Sequence, residues 1–397
     1  MRRLDCSAPT PSVEAQPDHH LEERHDDTNP QALAVAGRID RLRAALPTAS
    51  LDALVVTNLT NVRYLTGFTG SAAVAVITED AVLLATDGRY RTQAAEQIEA
   101  AGVGSLVSIA IGGGDEQRAA LLEAIGVAER VGLEADDVTW SQATSWEERL
   151  GRPLVATSGV VERLREVKDE GEIDRMRHAA SIADAALTEV LPLLRAAPTT
   201  PITESEFALA LDSAMRRLGA ESVAFETIVA AGENSAKPHH HPTDRLIERG
   251  DPVVIDFGAT FEGYRSDMTR TFVVGGLPTG ELKGIFDLVS ASQAAGVAAV
   301  RPGVEAKAVD DVCRTVIADG GMAERFEHST GHGVGLDIHE APWVSSLGTA
   351  ILEPGVVVTV EPGVYVAGIG GVRIEDTLVV TADGAEALTR FTKEVAA

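Results

Sequence analysis

Apolar positions follow two regimes along the chain. From Arg38 onward, short runs alternate with helical spacing. Ile39, Leu42 and Leu46 recur at helical intervals. Leu54-Val55-Val56 reads as a short buried strand. Val74-Ala75-Val76-Ile77 and Val82-Leu83-Leu84-Ala85 read as two more, joined by the turn-like Thr78-Glu79-Asp80. Helices are predicted over 90–101 and 116–127, with a strand over 106–111 and a loop at Gly112-Gly113-Gly114 between them. Val131-Gly132-Leu133-Glu134 reads as the last strand of the series. Strands alternating with helices predict an α/β domain with a parallel or mixed sheet, ending near Arg163.

The second regime opens with the longest helical stretch, 162–194, where Ile173, Met176, Ala180, Ala183 and Leu187 form a core-facing stripe. Ala197-Pro198 breaks it. Thr203 and Glu206 have the spacing of a capping box ahead of Phe207, Leu209 and Leu211. Strands are predicted over 227–231, 252–257, 269–274, 356–360 and 377–380, with helices over 280–300 and 306–319 between them. Helices with mixed strands predict an α+β second domain. The chain is thus divided into 1–36, 37–163 and 164–397. Residues 1–36 are rich in Pro, Asp, Glu, His and Ala and are expected to be a disordered tail, with His19-His20 solvated.

Composition narrows the partners. The 397 residues carry a net charge of −26 at pH 7 with His neutral, which argues against binding nucleic acid or an anionic membrane surface. No apolar run approaches the roughly 20 residues of a membrane span. The N-terminus has no apolar signal-like region, and Cys6 and Cys313 are the only cysteines; both facts fit a reducing cytoplasm.

Five residues stand out against this pattern: Asp256, Asp267, His332, Glu361 and Glu375. Asp256 follows Val253-Val254-Ile255, and Glu361 ends the run from Val356 to Val360. An unpaired buried carboxylate costs several kcal/mol, so four beside apolar runs call for a shared compensating charge. Asp256 and Asp267 flank a strand–Gly turn–strand pattern, and a hairpin there would bring them to one face, although Asp also borders turns for local reasons. His328, His332 and His339 lie within twelve residues, among glycines that would let the backbone approach a ligand. Six of the ten histidines fall in this segment and in His239-His240-His241. A pairing of a buried Glu375 with Arg373, two residues before it, is the structural alternative for these two residues. Oxygen ligands with one imidazole suit Mn(II), Co(II), Fe(II) or Zn(II).

These stretches resemble those of the pita-bread metallopeptidases, the family of methionine aminopeptidase, aminopeptidase P and prolidase. The order Asp256, Asp267, His332, Glu361, Glu375 is complete. Phe225-Glu226-Thr227-Ile228-Val229, Pro238-His239, the His332-to-His339 spacing and Gly371-Val372-Arg373-Ile374-Glu375-Asp376-Thr377 resemble its Xaa-Pro branch. Asn61-Val62-Arg63-Tyr64-Leu65-Thr66-Gly67 and Thr86-Asp87-Gly88-Arg89-Tyr90 resemble the creatinase/prolidase-type N-terminal domain. The resemblance implies an α/β N-terminal domain followed by an α+β pita-bread catalytic domain. It implies hydrolysis of an Xaa-Pro bond, in dipeptides or at the N-terminus of longer peptides, through a hydroxide bridging two divalent ions, Mn(II) foremost. Asp256 would bind one ion and His332 the other. Asp267 and Glu375 would bridge them, and Glu361 would bind the second while shuttling protons. His239 and His339 would contact substrate and stabilise the tetrahedral intermediate. Arg373 would orient Glu375 or the substrate's carboxyl end, and His328 would stand behind the site. Short peptides with proline second would be the substrates, and a homodimer is implied. Creatinase-like metal-independent hydrolysis and a non-catalytic interaction role share the fold, but such relatives lack part of the ligand set.

Overall fold

The computed structural model describes residues 30–394. Most of the stretch read as a tail, with His19-His20 and Cys6, lies outside the described residues. The first helix, Val35–Ala45, begins inside that stretch and buries Val35, Ile39 and Leu42. The α/β expectation is met by a six-stranded mixed sheet. Its spatial order is Ser108–Ile111, Val82–Thr86, Ala73–Thr78, Ala53–Val56, Val131–Glu134, Val155–Thr157. The centre pairs antiparallel, while Ser108–Ile111 and the last two strands join in parallel.

Three elements differ from the sequence reading here. Val131–Glu134 is not the last strand, because Val155–Thr157 adds to its edge. The helix Trp140–Leu150 precedes that strand and buries only Trp146 and Leu150. The helix Leu59–Thr66 follows the first strand, capped by Asn58 and closed by Gly67 at φ 77°.

The long helical stretch is two helices, Glu162–Arg165 and Glu170–Ala196. The break has two causes. Val167 pairs with Val356 in an isolated bridge, which pulls the backbone into an extended form. Asp169 then caps the second helix in a capping box with Glu172. The whole predicted stripe from Ile173 to Leu187 is buried. Thr203 and Glu206 form the expected capping box on the helix Glu204–Arg217, although Leu209 on that helix is exposed.

The second half of the chain consists of two helix-on-sheet packings. Glu170–Ala196 and Glu204–Arg217 bury Leu187, Phe207 and Leu211 against Val253, Ile255 and Phe257. Gly280–Ala299 and Ala306–Asp319 bury Ile285, Val309 and Ile317 against Val358, Val360 and Leu378. Each such side chain contributes about 1.5–3 kcal/mol on full burial. The two sheets meet where Glu375 donates its backbone N–H to Thr269 O (3.1 Å) and Thr271 Oγ1 donates to Arg373 O (2.7 Å). The five acidic and imidazole residues lie along this seam.

Candidate metal centre

The strands Pro252–Phe257 and Met268–Val273 pair antiparallel, with Thr269 opposite Asp256. Asp267 is two residues before Thr269 and so shares its face. The intervening tip, Ala259–Phe261 and Tyr264–Arg265, turns tightly at Glu262 (φ 45°) and Gly263 (φ 82°). The hairpin therefore brings Asp256 and Asp267 together. Gly258 cannot be replaced without disturbing it, since a Cβ there would lie 1.9 Å from Ser266 O.

His332 is the centre of the short strand Gly331–Gly333, between Glu340–Val344 and Val357–Val360. Its flanking glycines allow the backbones of the sheet to approach closely. A Cβ at Gly331 would lie 2.0 Å from Thr359 O, and one at Gly333 2.2 Å from Ala341 O. His332 Nδ1 bonds Gly333 O (3.0 Å), leaving Nε2 directed at Glu361 Oε1 (3.3 Å) and Asp267 Oδ2 (3.6 Å). A carbonyl on one ring nitrogen fixes the tautomer that frees the other for a metal. Ligand atoms of Asp267, His332 and Glu375 lie within 4.8 Å of one another, and all three residues are buried.

Arg373 does not pair with Glu375. Its Nη2 donates to Asp256 Oδ2 (2.6 Å), Nη1 to Tyr365 OH (2.8 Å) and Pro238 O (3.3 Å), and Nε to Thr269 Oγ1 (3.0 Å). Glu375 is reached only through Thr269, whose Oγ1 donates to Glu375 Oε2 (2.7 Å). Thr359 has the matching place on the other sheet: its Oγ1 accepts from His332 N–H (3.0 Å) and donates to Glu361 Oε1 (3.1 Å). Tyr365 OH also bonds His328 Nε2 (2.9 Å), and His328 Nδ1 bonds Ser329 O (2.8 Å). Thr269, Thr359 and Tyr365 were not singled out from sequence. Tyr365 lies in the run Glu361-Pro362-Gly363-Val364-Tyr365, and the pairing of Thr269 with Asp256 is the one signal a hairpin register would have offered.

The histidine run 239–241 separates cleanly. His239 is exposed and lines the same cavity as the five residues. His240 is buried against Glu204 (2.9 Å), and His241 is exposed beside Glu226 (3.1 Å). His339 also lines the cavity, with its ring centroid 4.4 Å from that of His332. The cavity has a volume of about 340 Å³, and Phe225, Ile228, Ile338 and Trp343 give it an apolar side.

Electrostatics test whether a metal belongs here. Four carboxylates, Asp256, Asp267, Glu361 and Glu375, share one guanidinium, Arg373. Burial pushes the Asp267 carboxyl well above its usual range, with Glu375, Asp256 and Glu361 adding to it. Glu375 is likewise raised by burial and by Glu361 and Asp256. Burial raises Asp256 despite Arg373. Glu361 is the exception: burial works to raise it, but His332, His328 and Arg373 bring it down to about 2. Asp256 Oδ1 is buried with no hydrogen-bond partner among the described residues. A buried carboxylate oxygen without a partner, in a cluster of excess negative charge with one imidazole nitrogen directed into it, fits divalent cations bound by oxygen and nitrogen.

The fold and the site define a metallopeptidase architecture, and comparison with known proteins gives the same class. Residues 174–382 match Metallopeptidase family M24, and residues 38–167 match the creatinase/prolidase N-terminal domain. The chain belongs to this metallopeptidase family, in its Xaa-Pro branch. It is 41% identical over 363 residues to the uncharacterized peptidase YqhT of Bacillus subtilis, covering 90% of this chain and 99% of that protein. The crystallised Xaa-Pro dipeptidase from Bacillus anthracis superposes with a TM-score of 0.86 at 40% identity, covering 91% of this chain and 99% of that one. The X-Pro aminopeptidase from Thermotoga maritima gives a TM-score of 0.80 at 36% identity, covering 91% and 100%.

Proposed function

We propose that the protein is an exopeptidase that hydrolyses the Xaa-Pro bond, in dipeptides or at the N-terminus of longer peptides, using two divalent ions. The observation that carries this is the gathering of four carboxylates, two buried and two half-buried, around one guanidinium, with an unpartnered Asp256 oxygen and His332 Nε2 directed into the cluster. Asp256 would hold one ion, His332 and Glu361 the other, and Asp267 and Glu375 both. When bound, the ions would supply a nucleophile at neutral pH and polarise the scissile carbonyl. Mn(II) is the foremost candidate, with Co(II), Zn(II) and Fe(II) as alternatives.

The remaining roles belong to the chain's own groups. Glu361, the most acidic of the four carboxylates, would accept and return the proton. His239 and His339, on the rim of the cavity, would hold the substrate and donate hydrogen bonds to the developing oxyanion. Arg373 would orient Asp256 directly and Glu375 through Thr269, in place of a direct role toward Glu375 or the substrate's carboxyl end. The apolar side formed by Phe225, Ile228 and Trp343 suits a proline ring. A homodimer in the cytoplasm completes the proposal. The two-cysteine sequence supports the compartment, and no helix among the described residues is long and apolar enough to cross a membrane.

The test is a peptide series: Xaa-Pro dipeptides, longer Xaa-Pro peptides, and matched Xaa-Ala controls, each with Mn(II) and after chelation. Metal-dependent release of the first residue from Xaa-Pro substrates alone is expected, and the length preference separates dipeptidase from aminopeptidase action. Absence of metal-dependent cleavage of any Xaa-Pro peptide overturns the proposal.

A further inference from the structure

His339 sits on the segment 334–339, which has no regular helix or strand and joins Gly331–Gly333 to Glu340–Val344. Its side chain is exposed, so its position depends on what holds that segment. Two carboxylates bracket it, Asp337 on one side and Glu340 on the other. Both are gripped from residues ahead of the metallopeptidase match at 174–382, from the first matched domain and from the linker 168–173. Arg165, at the end of the helix Glu162–Arg165, donates from Nη2 to Asp337 Oδ2 (2.7 Å) and Glu340 Oε2 (2.5 Å). Lys168 Nζ lies 2.8 Å from Glu340 Oε1. Thr60 Oγ1, in the N-terminal helix Leu59–Thr66, donates to Asp337 Oδ1 (3.2 Å).

The grip is tied back into the first domain. Arg165 Nη1 donates to Asn61 Oδ1 (2.9 Å), and Asn61 Nδ2 donates to Glu134 Oε1 (2.7 Å) and Glu162 Oε1 (2.5 Å). The Arg165, Lys168 and Glu340 side chains are 4%, 1% and 7% exposed, so these charges have little water to compensate them if the pairing is lost. Within the segment, Gly335 N–H donates to Asp337 O (3.0 Å), and Gly335 O accepts from Arg265 N–H (2.9 Å), two residues before Asp267. A single buried guanidinium thus fixes both flanks of His339 from the end of the first domain.

We propose that Arg165, with Thr60 and Lys168, is a positioning group through which the N-terminal domain and linker hold His339 over the cavity. The inference rests on the reading of His339 as a substrate-contacting group. It gives the first domain a part in the reaction without any contact with the metals. A displacement of the order of 1 Å at a catalytic group lowers rate by up to roughly 100-fold, so a modest loosening of the bracket suffices to be seen.

The test is a double-mutant cycle on the Mn(II)-loaded enzyme, using Asp337→Ala and His339→Ala singly and together. Asp337 is 39% exposed, so its removal spares the core. Asp337→Ala is expected to lower kcat by roughly 10- to 100-fold with bound metal unchanged, and by less than about twofold when His339 is already Ala. Hydrogen exchange at the Gly335 amide in the metal-free protein should accelerate in Asp337→Ala. Arg165→Lys should retain more activity than Arg165→Met. Equal kcat losses in both backgrounds, or no loss from Asp337→Ala, overturn the positioning role while leaving the His339 reading intact. A His339→Ala variant of normal kcat overturns both.

Discussion

Replacing Arg373 with Met gives the sharpest consequence of the charge arrangement. Arg373 is 3% exposed and donates to Asp256 Oδ2 at 2.6 Å, Tyr365 OH at 2.8 Å and Thr269 Oγ1 at 3.0 Å. Methionine keeps much of the volume and removes the one guanidinium that, among the described residues, faces the four carboxylates. Breaking a buried pair by removing one partner costs about 3–5 kcal/mol. For a domain of this size each kcal/mol moves the melting temperature by roughly 2–4 °C, so metal-free Arg373→Met should melt roughly 6–20 °C lower. Divalent ions supply the charge that Arg373 no longer does, so the deficit should shrink in the metal-loaded protein. Calorimetry of both proteins, with and without Mn(II), measures the four values. A metal-free variant as stable as the parent, or a deficit that grows on loading, would refute the argument that Arg373 is there to compensate the cluster.

Asp267→Ala should abolish activity and lower bound metal, because Asp267 faces His332 and shares a hairpin face with Asp256 through Thr269; elemental analysis with a peptidase assay checks it, and full activity would remove Asp267 from the centre. His339→Ala should keep its metal and lose rate, as seen in kcat with unchanged metal content. Metal-free stability should depend on pH through the same carboxylates. Asp256, Asp267 and Glu375 are raised, so between the usual carboxylate pKa near 4 and their higher folded values the native state binds more protons than the unfolded one. Their contribution to stability therefore falls as pH rises through that window. Glu361, at about 2, acts in the opposite sense and loses its contribution only as pH falls from about 4 toward 2. Chemical denaturation of the chelated protein over a pH series upward from about 4 should show this carboxylate contribution falling, with the fall reduced once Mn(II) is bound.

How much the sequence disclosed depended on whether the signal was local. Val253-Val254-Ile255 and Val356 to Val360 are apolar on both faces, and their strands were legible with the carboxylates that follow them. Thr203 and Glu206 carry their cap within one turn. Trp140–Leu150 buries only Trp146 and Leu150, and Val155–Thr157 is a three-residue edge strand with two exposed positions, so neither offers a periodic stripe. The break at 166–169 was invisible because its cause, the Val167–Val356 bridge, joins residues far apart in the chain. The site divides in the same way. Its acids and histidines lie in Gly- and Pro-marked motifs, whereas the partners that orient them come from across the fold: Thr269 meets Glu375 at a separation of 106 residues, and Arg165 meets Glu340 at 175. No spacing rule encodes such contacts. Arg373 shows the cost of arguing from neighbours alone, since its true partner, Asp256, is 117 residues away.

The central claim is that the buried carboxylate cluster is a two-metal peptidase site. Its most direct test is metal stoichiometry, measured on the full-length protein by elemental analysis while Mn(II) is titrated into the chelated enzyme, alongside cleavage of an Xaa-Pro peptide. The account predicts saturation at two equivalents per chain, with activity rising along the same titration. Full Xaa-Pro cleavage by the metal-free protein, or no bound Mn(II) at saturation, would contradict it.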